Sequence, residues 1–253
     1  MKKVTFNQSI IYYQVEGEGL PILFIHPPGI GRVVFHAQLP LANYYQLILP
    51  DFSGHGQSTS PSHRHIIKQY CSEIEAILDH EGIDKAILCA YSAGGIIAQT
   101  FACQYPDRTE ALIVSGGYPN VSTARLHLLY YAGMLSLRMT RNYLTKILAA
   151  SNTANDLDKT TLVKHINQTD FKKWYQYYFS THQVNIKHYL DNINCPSLFV
   201  YGNKLDFTYY YQQVYQSQSR IELAFVDLGT HQIPVKKAQA FNHLVKQFID
   251  RHI

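Results

Sequence analysis

Cys89-Ala90-Tyr91-Ser92-Ala93-Gly94-Gly95 lies between the apolar run Lys85-Ala86-Ile87-Leu88 and the helical pattern Ile96-Ile97-Ala98-Gln99-Thr100-Phe101-Ala102. A buried strand that turns sharply at a serine and passes at once into a helix is the layout of a nucleophile elbow. So tight a turn requires small residues two before and two after the serine, and Ala90 and Gly94 occupy those places; Ala90 departs mildly from the usual glycine. The helix that follows would aim its free N–H groups and the positive end of its dipole at negative charge developing beside Ser92. A serine between small residues is by itself equally a plain strand-to-helix turn. The rest of the chain has to supply its partners.

Upstream, Val4-Thr5-Phe6 and Ile10-Ile11-Tyr12-Tyr13-Gln14-Val15 read as an opening hairpin around Asn7-Gln8-Ser9. Pro21-Ile22-Leu23-Phe24-Ile25 and Tyr45-Gln46-Leu47-Ile48-Leu49 are continuous apolar runs, as in strands covered on both faces of a parallel sheet. A helical segment over about 33–41 separates them. From Arg64 to Glu81 apolar residues recur at helical spacing, and Gly82 closes that helix as a C-cap. Downstream of the elbow, Ala111-Leu112-Ile113-Val114-Ser115 is a further strand.

The alternation of strand and helix predicts an α/β fold with a mainly parallel sheet and helices on both faces. It is interrupted between Tyr118 and Asp191, where only helical patterns occur, among them Asp170-Phe171-Lys172-Lys173-Trp174-Tyr175. The expected organisation is a core formed by 1–117 and 191–253, with 118–190 inserted as a helical cap. The core resumes with strands at 197–201 and 221–226 and helices over about 207–218 and 236–249.

A chain of 253 residues with 46% hydrophobic content suits one large domain carrying an insertion. Lys plus Arg number 22 against 18 Asp plus Glu, and no like-charge block exceeds a pair, which speaks against nucleic-acid binding. The start of the chain is basic but lacks an apolar signal core, and no run spans a bilayer, so a soluble, cytoplasmic protein without membrane attachment is expected. Cys71, Cys89, Cys103 and Cys195 are scattered, which fits reduced, buried thiols and no metal site. No G-x-G-x-x-G phosphate fingerprint follows the first buried strand, and no cofactor is expected.

A catalytic serine needs a histidine to take its proton and a carboxylate to orient that histidine. In a parallel sheet these groups must meet at the carboxyl ends of the strands. Asp206 follows the strand at 197–201, and His231 follows the strand at 221–226. Asp206 also suits a helix N-cap, Asp227 is a competing acid one loop later, and His231 is one of 13 histidines, most of them ordinary polar residues. His26 and His55 read as structural ties between loops, and Asp51 as a loop brace.

Taken together, His26-Pro-Pro-Gly29, Asp51-Phe-Ser-Gly-His-Gly-Gln-Ser58, the elbow at Ser92, Gly202-Asn-Lys-Leu-Asp206 and His231 resemble the α/β-hydrolase family in order and spacing over nearly the whole chain. The resemblance implies the α/β-hydrolase fold, Ser92 as nucleophile, His231 as general base and then acid, Asp206 as its orienting acid, and the Ala93 N–H as one oxyanion donor. In that family the first loop usually reads His-Gly-x, and the third residue gives the second donor. Here that residue is Pro28, which has no N–H. Gly29 is therefore expected to replace it.

Serine at the elbow points to acyl chemistry, and the expected substrate is a small or medium apolar or aromatic carboxylic ester. Tyr91 and the cap rings Trp174 and Tyr178 are the expected substrate contacts, although cap aromatics also have to hold the cap to the core. C–C bond, lactone or thioester hydrolysis and peroxyacid formation share the same three residues, and a non-catalytic ligand-binding protein shares the fold.

Overall fold

The computed structural model describes every residue except 60, 62–64, 155 and 205. The hairpin forms from β1 (Lys2–Phe6) and β2 (Ser9–Glu16). Asn7 and Gln8 both take positive φ, 46° and 65°, the combination that two-residue hairpin turns use to match strand twist. β3 (Pro21–Ile25), β4 (Gln46–Pro50), β5 (Ala86–Tyr91), β6 (Thr109–Ser115), β7 (Ser197–Gly202) and β8 (Ile221–Val226) follow. Among the described residues they form one eight-stranded sheet in the order β1-β2-β4-β3-β5-β6-β7-β8. β2 pairs antiparallel with β4, and every pairing from β4 onward to β8 is parallel.

The apolar runs become the inner strands for a plain reason. β5 and β7 are buried along their whole length, so neither face has a use for polar alternation. α1 (Ile66–Glu81) and α2 (Gly94–Gln104) pack on one face and, with the sheet residues beneath them, belong to one of two apolar clusters. The expected start of α1 at Arg64 lies outside the described residues; its end at Gly82 has the left-handed φ of 66° that a glycine C-cap provides.

Two expected helices differ in kind. Residues Arg32–Asn43 form successive 3-10 turns with Pro40 inside them, because a proline supplies no N–H and crowds the preceding turn of an α-helix. Among its described residues, the segment between β7 and β8 contains only a 3-10 turn at Tyr209–Tyr211 and the single-turn α7 (Gln212–Tyr215). Between β6 and β7 lie α3 (Ala124–Met139), α4 (Arg141–Ser151), α5 (Asp156–Ile166) and α6 (Phe171–Gln183). Thr123 and Asp170 cap α3 and α6 by accepting from the N–H groups of Leu126 and Lys173. The short α8 (Ile233–Lys236) and the long α9 (Ala238–His252) complete the chain.

α5 and α6 are tied to the loops beyond β3 and β4. Tyr177 donates to the His26 carbonyl at 2.9 Å, Thr169 Oγ1 to the Gly29 carbonyl at 3.1 Å, and the Asp170 N–H to the Gly54 carbonyl at 2.7 Å. These contacts set the helices over the carboxyl edge of the sheet.

Candidate active site

Ser92 follows the last residue of β5 and precedes α2. Its φ of 55° is the left-handed backbone that a non-glycine residue adopts only under constraint. The constraint is visible around it. The Ser92 N–H is held by the Ser115 carbonyl at 2.8 Å, and a Cβ on Gly94 would stand 2.4 Å from the Ile25 carbonyl oxygen. Small residues flank the serine because β3 runs directly beside the turn.

His231 Nε2 lies 2.8 Å from Ser92 Oγ, and His231 Nδ1 lies 3.2 Å from Asp206 Oδ1. A carboxylate only accepts, so Nδ1 carries the proton and Nε2 presents its lone pair to the serine hydroxyl. Asp206 is itself fixed: Oδ1 accepts from the Thr208 N–H and Oγ1 at 2.9 and 2.6 Å, and Oδ2 accepts from the Gly202 N–H at 3.0 Å. Burial would raise its pKa, but the hydrogen bond and charge of His231, with the Thr208 bonds, lower it to about 2. Asp206 thus bonds local backbone as a capping residue does and holds the histidine as well. The rival Asp227 is exposed and accepts from Asn203 Nδ2.

Two contributors to this geometry escape a motif reading. Gly116, with φ 62°, follows β6, and a Cβ there would stand 2.6 Å from His231 Cε1; its place at the carboxyl edge of the sheet is the only signal in the sequence. Thr208 sits two residues after Asp206 and its hydroxyl also lies 3.3 Å from His231 Nδ1.

Ser92 and His231 open on a cavity of about 400 Å³, lined mainly by apolar side chains of α3 and α4 together with Tyr91, Tyr118, Tyr130 and Tyr178. Ala93 lines it at the N-cap of α2, where helical N–H groups have no partner within the helix. Tyr91 reaches across to donate to Asn152 Oδ1 at 3.0 Å. A groove of about 1100 Å³ between α1 and α6 is larger, but none of the three residues faces it.

Two expectations are corrected here. The Gly29 N–H donates to His55 Nε2 at 2.9 Å, so it is turned into the protein and is not available beside Ser92. Trp174 is fully buried and lies against Gly29, where a Cβ would fall 2.0 Å from its ring; it packs α6 to the loop after β3 and does not line the cavity. The expected braces do hold the loops. His26 Nε2 accepts from the Phe52 N–H at 3.1 Å, and Asp51 accepts from the Arg32 N–H and from His165 Nε2, both at 2.8 Å.

The family model described as alpha/beta hydrolase fold matches residues 21–155. The chain belongs to that family. An uncharacterized protein of Mycobacterium tuberculosis is 32% identical over 107 residues, which are 42% of this chain and 31% of that protein. The mouse serine hydrolase BPHL is 24% identical over 98% of this chain and 85% of its own. The crystal structure of a bromoperoxidase from Bacillus anthracis superposes with a TM-score of 0.85 at 18% identity, covering 96% of both chains. That likeness is one of fold. Among the described residues no helix is long and apolar enough to cross a membrane, and no cluster of three or more His, Cys, Asp or Glu is placed to hold a metal.

Proposed function

We propose that the protein is a serine hydrolase that cleaves a small or medium apolar carboxylic ester through an acyl-enzyme. The observation that carries this reading is the continuous hydrogen-bonded line from Ser92 through His231 to Asp206, with its serine end on a mainly apolar cavity. Ser92 Oγ attacks the carbonyl carbon as its proton passes to His231 Nε2. The carbonyl π pair moves to oxygen, and the Ala93 N–H donates to that oxyanion. Collapse expels the alkoxide, which takes the proton from His231, and a water then repeats the sequence on the acyl-serine.

Residues 118–190 act as a cap on a core formed by 1–117 and 191–253, and α3, α4 and α6 choose the acyl group. Leu126, Leu144 and Leu148 supply apolar wall, while Tyr178 adds a ring with a polar tip. The mouse relative's designation as a serine hydrolase supports the same chemistry.

The test is labelling with a fluorophosphonate, followed by peptide mapping and turnover of p-nitrophenyl esters of increasing chain length. Phosphonylation confined to Ser92 with preference for short or medium chains is the expected result. Absence of labelling at Ser92 would refute the acyl-enzyme.

A further inference from the structure

Pro28 lines the cavity where a backbone donor is needed, has no N–H, and its neighbour Gly29 gives its own to His55. The oxyanion thus has Ala93 on one side and no backbone donor from Pro28 or Gly29 on the other. The same cavity is lined by Tyr118, the first side chain after the Gly116-Gly117 turn that follows β6, which is only 1% exposed. Its position is fixed. Gln99 Nε2 donates to its carbonyl at 3.2 Å, and its ring packs against Tyr130 and Tyr211.

The protons in this corner can be followed one at a time. Thr181 Oγ1 lies 2.7 Å from the Tyr177 carbonyl, which can only accept, so Thr181 donates there. The Tyr130 hydroxyl, 3.1 Å from Thr181 Oγ1, therefore donates to Thr181. Tyr118 Oη is 2.7 Å from Tyr130 Oη, on the same cavity that Ser92 lines. Tyr130 gives its proton to Thr181 and Ser92 gives its proton to His231 Nε2. Tyr118 is left as the donor to Tyr130, with a single proton that rotation about its C–O bond can turn into the cavity.

We propose that the Tyr118 hydroxyl is the second oxyanion donor, acting with the Ala93 N–H in place of the missing N–H at Pro28. Ionised acceptors bind a donor about twice as strongly as neutral ones, so a negative oxygen beside Ser92 draws the O–H away from Tyr130 by rotation about the C–O bond. No proton is transferred, since burial holds this phenol well above its ordinary pKa. When the tetrahedral species collapses, the O–H returns to Tyr130. Tyr118 is on this account a catalytic residue, and the assignment rests on Ser92 forming an acyl-enzyme.

Tyr118→Phe is the test, because it keeps the ring and removes only the hydroxyl. A lost oxyanion donor lowers kcat by about 10²–10³, with KM within about threefold of wild type, since the bond exists only in the transition state. Affinity for an alkylboronic acid, which forms a tetrahedral anion on Ser92, should fall alongside kcat/KM, while affinity for the ground-state carboxamide analogue should hold. A kcat within about threefold of wild type, or an equal loss in carboxamide binding, overturns the proposal. If Tyr118→Phe does not fold, 3-fluorotyrosine at 118 retains the hydroxyl as a stronger donor; an increase of about twofold in kcat is expected, and no change overturns the assignment. Wild-type protein that fluorophosphonate does not label at Ser92 defeats the hydrolase reading along with this one. Labelled wild type with a normally active Tyr118→Phe defeats this one alone.

Discussion

Two buried histidine–aspartate pairs stand at the same edge of the sheet and do different work. His165 gives its Nε2 to Asp51 at 2.8 Å, and the same carboxylate takes the Arg32 N–H and guanidinium. His231 gives its Nδ1 to Asp206 at 3.2 Å, which leaves Nε2 facing Ser92 and the cavity. A His–Asp bond is thus no mark of catalysis. What separates the pairs is which ring nitrogen the carboxylate takes and whether the other one meets a serine hydroxyl with space in front of it. Asp51 also shows what the brace requires: burial would raise its carboxyl, yet the His165 bond and the charges of His165 and Arg32 hold it well below the usual range.

Substitutions at the two pairs should divide cleanly between rate and stability. Ser92→Ala and His231→Ala are expected to lower turnover by about 10⁴–10⁶ because the members of such a set act as a unit, with melting temperatures close to wild type. Comparable losses of activity and stability would place His231 with the braces. Asp51→Ala should cost about 3–5 kcal/mol of folding free energy by leaving Arg32 with an unpaired, largely buried charge. Denaturant titration measures this, and a loss below about 1 kcal/mol would show that Asp51 is dispensable as a brace.

Trp174 and Tyr178 extend the contrast to α6. Trp174→Ala removes a fully buried ring and should destabilise by about 3–5 kcal/mol, with the chain-length preference of the folded fraction unchanged. Tyr178→Ala enlarges the cavity wall and should shift that preference toward longer acyl chains by about 1–3 kcal/mol. If the ester panel moves with Trp174 and not with Tyr178, the packing and contact assignments are reversed.

The smallest expected effect is in acid. His26 and His55 accept backbone N–H groups and so must be neutral, and burial lowers both, His26 to about 4. A histidine with a depressed folded pKa contributes stability that is complete above about 6.5 and declines as pH falls toward the folded value. Melting temperature should therefore decrease from pH 6.5 to about 4, and in His55→Gln that decrease should be shallower. An identical slope would remove His55 from the account.

The succession of strands along the chain, the elbow and the positions of Ser92, Asp206 and His231 were legible because each depends on local rules. Apolar runs bury themselves, a tight turn demands small flanks, and a loop after a parallel strand opens at one edge. The same rules gave the Gly82 cap and misjudged Arg32–Asn43, where Pro40 sits within a pattern otherwise suited to an α-helix. Motif spacing pointed to Asp206 over Asp227, yet the hydrogen bonds that make Asp206 the partner come from Thr208 and Gly202.

By itself, then, the sequence determined the layered α/β architecture and the meeting of three residues at its carboxyl edge, since strand position and loop position along the chain follow from short-range pattern, while the order β4-β3-β5 within the sheet is a tertiary choice. Only the tertiary structure decided where the Gly29 N–H points, because its acceptor is a ring 26 residues away. It also decided which of the 20 tyrosines faces the serine. An aromatic side chain buries equally well against a loop or a cavity, and the choice lies in packing between segments far apart in the chain: Trp174 against Gly29, and Tyr118 against Tyr130 on the cavity that Ser92 lines.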